Sequence, residues 1–199
     1  MPNRIPPRNR SALEPDLEDM IAVVEKANGY TPNSYMTLAH APNVLRGFAA
    51  LSKAILRDEG DVPKSLKFMV AGVSSQTAGC AYSQVHNFQS AAKNGVGEDK
   101  LRALPNFETS TLFSPAERAA LDLSRAAASV PNKVTNEHFD ELRKHYSERQ
   151  IVELVAVIAL FGWNNRWNST MATELEPICL TFADKIGLAT TGWNPKAHV

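Results

Sequence analysis

The segment Gly79-Cys80-Ala81-Tyr82-Ser83-Gln84-Val85-His86-Asn87-Phe88 holds the residues whose types and order could do chemistry. A cysteine follows a glycine where a helix is expected to begin. At a helix N-terminus the unpaired backbone N–H groups favour the thiolate, the nucleophilic and oxidisable form of cysteine. A nearby imidazole can add to that effect or carry a proton to a leaving group. The spacing complicates the pairing. Residues six apart on an ideal helix lie about 120° from one another around the axis. Cys80 and His86 therefore share a pocket only if Cys80 sits at or before the first turn. His86 stacks better over Tyr82 and Ser83, four and three residues earlier. For catalysis Cys80 is expected to be partly exposed. The residue types alone favour a plainer role: a single cysteine commonly fills a core as a small hydrophobe, and a single helical histidine is commonly packed or solvated.

The other candidates are weaker. His40, His138, His145 and His198 are scattered, and no two histidines lie at metal-ligand spacing. One cysteine with one histidine is too few for a zinc site, so neither a metal nor a cofactor is expected. Glu174 and Glu176 sit near a helix end and read as solvated surface. No phosphate-cradling glycine loop occurs. Ser83 and His86 with a distant acid could mimic a hydrolase triad, but the Gly-x-Ser-x-Gly elbow is missing. Arg166, Trp167 and Asn168 form a late polar and aromatic group, and the Arg166 fork suits a carboxylate; a structural ion pair is an equal alternative.

These residues sit in a chain patterned for helices. Leu17, Met20, Ile21, Val24 and Ala27 recur at helical spacing over 14–27, and Gly29 ends the run. Pro32 and Pro42 suit first turns, predicting a short helix and then one over about 42–57. Leu66, Met69, Val70 and Val73 mark a helix over 63–78, and after Gly79 a new helix carries the motif to Gly95. Ser114-Pro115-Ala116-Glu117 and Ser147-Glu148-Arg149-Gln150 are capping boxes. The second opens an apolar core helix, 151–162, whose continuation is expected to stay helical to Pro177. No segment alternates like a strand. The expected fold is all-α, seven to nine helices in antiparallel hairpins. A flexible segment, 1–12, precedes a single domain, 13–199.

Composition narrows the partners. The 199 residues hold 21 Lys+Arg and 21 Asp+Glu, giving zero formal net charge. That balance gives no reason to expect nucleic acid or an anionic membrane, both of which want a basic face. The most apolar stretch, Ile151–Trp163, is too short to span a bilayer. Two cysteines cannot build a secreted disulfide framework, and MPNRIPPRNR lacks a signal-type apolar core. A cytoplasmic protein is expected. The apolar helix with Phe161, Trp163 and Trp167 offers more hydrophobic surface than one small bundle covers, so a homo-oligomer is expected.

Cys-Ala-Tyr-Ser-Gln-Val-His resembles the Cys-x-Tyr-Cys-x-x-His signature of AhpD-like proteins of the carboxymuconolactone decarboxylase family, in their peroxidase-related branch. PKSLKFMVAGVSSQTAGC before it, and the segment from FSPAERAAL to the Asn-Arg-Trp-Asn stretch after it, resemble the same family in order and spacing, covering roughly residues 30–177. The resemblance implies a helical protein assembling as a dimer, trimer or hexamer. It implies thiol-based hydroperoxide reduction or, in other branches, lactone decarboxylation. Cys80 matches the first motif cysteine, Tyr82 the tyrosine and His86 the histidine. Ser83 stands at the second cysteine, and a hydroxyl cannot form the family's disulfide. The relay glutamate falls on Phe68. Cys179 could resolve Cys80 only if the fold or a neighbouring subunit brought the two Cα atoms within about 7 Å. Three activities stay open. The first is a one-Cys peroxidase of peroxiredoxin type, with Cys80 oxidised to sulfenic acid and rescued by an external thiol. The second is a lyase or lactone hydrolase using His86, with Tyr82, Ser83, Arg166, Trp167 and Asn168 around a small cyclic acid. The third is a non-catalytic oligomeric binding protein.

Overall fold

Helices α4 (Lys64–Thr77) and α5 (Ala81–Lys93) form the centre of the molecule and pack most extensively on each other. Their close approach is set at Gly72, where an added Cβ would lie 2.7 Å from the Phe88 ring. Gly79 joins them at φ +69°, a left-handed conformation glycine adopts without steric cost. The turn is closed by Cys80 N–H donating to Ser75 O at 2.9 Å.

The computed structural model describes residues 3–196. Among them lie ten α-helices and no strand. The remaining helices are α1 (Pro15–Asn28), α2 (Asn33–Leu38), α3 (Pro42–Leu56), α6 (Glu98–Ala103), α7 (Pro115–Ala128), α8 (Asn136–Arg143), α9 (Glu148–Met171) and α10 (Pro177–Lys185). Helices α7 and α9 pack against α4. Leu66, Met69, Val70, Val73, Val85, Phe88, Leu121, Leu154 and Val157 fill the main core, and Leu17, Ile21, Val24 and Leu45 fill a second one under α1–α3. Both expected capping boxes are present. Ser114 Oγ accepts from Glu117 N at 3.2 Å, and Gln150 Oε1 accepts from Ser147 N at 2.9 Å.

The sequence reading missed α6, a six-residue helix too short for periodicity, and α10. It carried the preceding helix on to Pro177, whereas α9 stops at Met171, where Ala172 turns left-handed at φ 50°. Pro177 is the first residue of α10, a starting proline where a stop was expected. The apolar helix is also not wholly core: α9 buries Ile151, Leu154, Val157 and Phe161 but leaves Val152, Val155 and Trp163 exposed. Among the described residues no helix is long and apolar enough to cross a membrane. Residues 3–12, expected to be flexible, lie along the chain's own body: Arg8 N donates to Met36 O at 3.0 Å, and Arg10 pairs with Glu18 and Glu25, each at 2.7 Å. His198 lies outside the described residues.

One buried ion pair ties α4 to α9. Lys67, 4 % exposed at its side chain, reaches Glu153 at 2.8 Å and donates to Ile55 O at 3.0 Å. Glu153 also accepts the Asp61 and Val62 N–H groups at 2.9 and 3.2 Å. Burial opposes the Glu153 carboxylate, but Lys67 and the two N–H donors outweigh it and pull its pKa from 4.5 to about 2. A depressed carboxyl stabilises the fold above its unfolded pKa and loses that contribution as pH falls towards its folded pKa. About 3 kcal/mol is at stake. Urea titrations should therefore show wild-type stability falling between about pH 5 and pH 2, with Glu153→Gln already low at neutral pH and flatter below. Parallel curves for the two proteins would remove the pair from this account.

Candidate functional site

Cys80 is the N-cap of α5, ahead of its first turn. The condition set by the six-residue spacing is thus met. Its sulfur is fully buried, however, against the expectation of partial exposure. Sγ donates to Ser83 Oγ at 3.3 Å, and Trp193 folds back over the helix start, donating from Nε1 to Ala81 O at 3.0 Å. Ser83 Oγ also accepts from Asn168 Nδ2 of α9 at 3.3 Å. The serine at the second cysteine position thus links the thiol to α9.

Ser83 faces a cavity of about 400 Å³ with aromatic walls from Tyr30, Tyr35, Phe48, Phe68 and Phe161. Tyr82, Ser83, His86 and Asn168 line it, and Cys80 lies behind Ser83. The charged side chains at its edge, Arg57, Lys64 and Lys93, are all cationic. Arg166 and Trp167 are placed elsewhere: both border an outer groove of α9 beside Trp163, and Trp167 stacks on Trp163 at 5.4 Å.

His86 stacks on Tyr82, ring centroids 4.1 Å apart, as the four-residue spacing requires. Its Nδ1 donates to Tyr82 O at 2.7 Å. Its Nε2 meets Glu176 Oε2 at 2.8 Å. Glu176 was read as solvated surface; Glu174 is exposed, but Glu176 is buried. The loop after α9 turns it inward as the N-cap residue of α10. Its Oε1 accepts from Tyr82 Oη at 2.8 Å and Asn33 N at 2.6 Å. Cys179, one turn into α10, brings its sulfur 3.6 Å from both His86 Nε2 and Glu176 Oε2. A carboxylate thus meets His86 from α10 rather than from α4, and Cys179 joins the histidine.

The electrostatics follow from this packing. Burial works against a charged His86, but hydrogen bonds to Cys179 and Glu176 and the Glu176 charge push it up to about 10. Burial likewise works against the Glu176 carboxylate, and the His86 imidazolium keeps it below the usual range. Burial and then the Glu176 charge raise Tyr82 well above its ordinary value. The site thus holds a proton on His86, between a phenol and a carboxylate. Of the remaining histidines, His40 meets Pro6 O at 3.0 Å, His138 caps α8 at Thr135, and His145 lies 3.4 Å from Glu141.

The family model for the carboxymuconolactone decarboxylase family matches residues 42–126, which contain α3–α5 and the cysteine motif. The structure superposes with a TM-score of 0.85 on the debrominase Bmp8, crystallised as a cysteine-to-alanine variant with 2,3,4-tribromopyrrole, at 35 % identity over 92 % of this chain and 96 % of that one. The chain belongs to the carboxymuconolactone decarboxylase family. Its fold is shared by an alkylhydroperoxidase AhpD core, a peroxidase-related protein from Ralstonia eutropha, with a TM-score of 0.82 and 24 % identity over 91 % of this chain and 95 % of that one. Among curated relatives, YdfG of Bacillus subtilis is 36 % identical over 95 residues, a match covering 47 % of this chain and 63 % of YdfG. YnjA of Escherichia coli is 28 % identical over 114 residues and also matched over 63 % of its length. Within this family frame, Glu176 and Cys179 are the two site residues that the motif does not reveal. Their only sequence signal is the Glu-Pro helix start followed by an apolar run.

Proposed function

We propose that the protein is a thiol-dependent oxidoreductase in which Cys80 reduces a small organic substrate seated in the aromatic cavity, and an external thiol restores Cys80. The observation that carries this is the contact from cavity to motif sulfur: Ser83 lines the cavity, and its Oγ accepts the Cys80 hydrogen bond at 3.3 Å. Reaction at Cys80 requires that hydrogen bond to open. With Ser83 at the second cysteine position, resolution falls to a thiol from outside the motif.

With an organic hydroperoxide the balance is that of a one-Cys peroxidase. The thiol and ROOH give Cys80 sulfenic acid and ROH. One external thiol then forms a mixed disulfide and releases water, and a second frees Cys80 as the external disulfide leaves. A second substrate class is favoured by the cavity, which is ring-sized and aromatic, and by the near full-length similarity to Bmp8. With a haloaromatic ring, the ring carbon takes a proton while the sulfur takes the halogen. The resulting sulfenyl halide is displaced by one external thiol, releasing halide, and a second thiol completes the cycle. In both routes Tyr82, His86 and Glu176 hold the nearest proton store.

The deciding experiment exposes reduced protein separately to cumene hydroperoxide and to a bromopyrrole, with a dimedone-type trap in the first case and bromide release with excess thiol in the second. Adduct at Cys80, or thiol-dependent bromide release, supports the proposal and selects the substrate. Neither signal, together with turnover of lactones that needs His86, would replace it with the lyase alternative.

A further inference from the structure

The sulfur of Cys179, the Nε2 of His86 and the Oε2 of Glu176 converge on one point, with all three ligand-type atoms within 4.8 Å of one another. The arrangement differs from a Cys–His–acid relay. In a relay the thiol and the acid take opposite ring nitrogens, so the acid can orient the imidazole that accepts the thiol proton. Here both crowd the same nitrogen, at 3.6 and 2.8 Å, while Nδ1 is occupied by Tyr82 O. One Nε2–H can serve only one of them, whereas a cation can serve all three.

The dimensions suit zinc. Tetrahedral Zn²⁺ with bonds of about 2.0 Å to nitrogen and oxygen and about 2.3 Å to sulfur has N···O edges of about 3.3 Å and edges to sulfur of about 3.5 Å. The observed edges to sulfur are both 3.6 Å, and only the 2.8 Å N···O edge must open. A neutral imidazole, a carboxylate and a thiolate together cancel the ion's charge, as a buried site needs. Two of the ligands also have outer partners that fix them: Tyr82 O holds His86 Nδ1, and Tyr82 Oη and Asn33 N hold Glu176 Oε1. Such partners hold ligands in their binding orientation. Of the three, His86 lines the cavity.

We propose that His86, Glu176 and Cys179 bind one zinc-class cation, and that its occupancy withdraws His86 and Glu176 from the chemistry at Cys80. The second clause rests on the function proposed above; the first does not.

Cobalt(II) provides a spectroscopic probe. Metal-free, reduced full-length protein titrated with Co²⁺ should develop sulfur-to-cobalt charge transfer and the strong visible bands of tetrahedral cobalt, saturating at one equivalent and bleached by Zn²⁺. Cys80→Ser should keep the charge-transfer band and Cys179→Ser should lose it. Glu176→Gln should weaken zinc binding by more than the about 10–100-fold typical of losing an outer partner. No charge-transfer band in the wild type, or its loss in Cys80→Ser, overturns the site; both measurements stand even if Cys179→Ser fails to fold. A cobalt spectrum without zinc inhibition of substrate reduction keeps the metal site and overturns its coupling to Cys80.

Discussion

Cys80→Ala should lower substrate reduction by about 10³-fold or more, the scale expected when a nucleophile is removed, while Cys179→Ala stays close to wild type in metal-free buffer. The contrast is worth making because the two cysteines share one property and differ in another. Both sulfurs are buried. Cys80 caps the motif helix and lies against Ser83; Cys179 lies against His86, Glu176 and Gln89, and Ser83 and His86 both line the cavity. Assays of both variants against hydroperoxide and bromopyrrole, with thiol in excess, separate three cases. Loss in Cys80→Ala alone assigns the chemistry to Cys80. Loss in Cys179→Ala alone moves it to the thiol beside the imidazole. Full activity in both means that neither protein thiol supplies the electrons, and overturns the Cys80 route. Folding is not the limiting issue for Cys80, since alanine keeps the backbone N–H that closes the Gly79 turn on Ser75 O.

Local features of the site were legible in the sequence, and distant ones were not. The capping boxes at Ser114 and Ser147, the glycine turn at Gly79 and the stacking of His86 on Tyr82 each depend on residues at most five apart, and spacing alone specifies them. Glu176 lies 94 positions beyond Tyr82, and nothing local marks it as buried. An acid beside a proline near a helix end ordinarily faces water. Here the left-handed turn at Ala172 ends α9 early, and the loop that follows carries Glu176 inward to three donors. Arg166 and Trp167 lie away from the cavity for a related reason. They neighbour Asn168 in sequence, but a helix turns about 100° per residue; Asn168 faces Ser83, while the other two border the outer groove. The identity of the motif carried the family, and nothing within it marks Trp193, far outside it, which donates to Ala81 O beside Cys80.

The placement of Glu176 gives the site a shared support that one substitution can remove. Tyr82, His86 and Asn33 belong to α5 and α2, elements that meet α10 through this carboxylate. Glu176→Gln keeps the size of the side chain. Its remaining oxygen can still accept from Tyr82 and Asn33, but the negative charge that pairs with the His86 imidazolium is lost. Breaking a buried pair by neutralising one partner costs about 3 kcal/mol or more, which for a domain of this size lowers the melting temperature by about 6–12 °C. Tyr82→Phe, which removes one hydroxyl donor and leaves the ion pair, should cost about 1 kcal/mol. Activity measured well below both melting points separates support from chemistry. If Glu176 only braces the helices, folded Glu176→Gln protein should reduce substrate at the wild-type rate. If it holds the proton on His86, kcat should fall while KM changes little, and Tyr82→Phe should fall less. A melting point unchanged in Glu176→Gln would mean that the carboxylate does not hold α10 against α5.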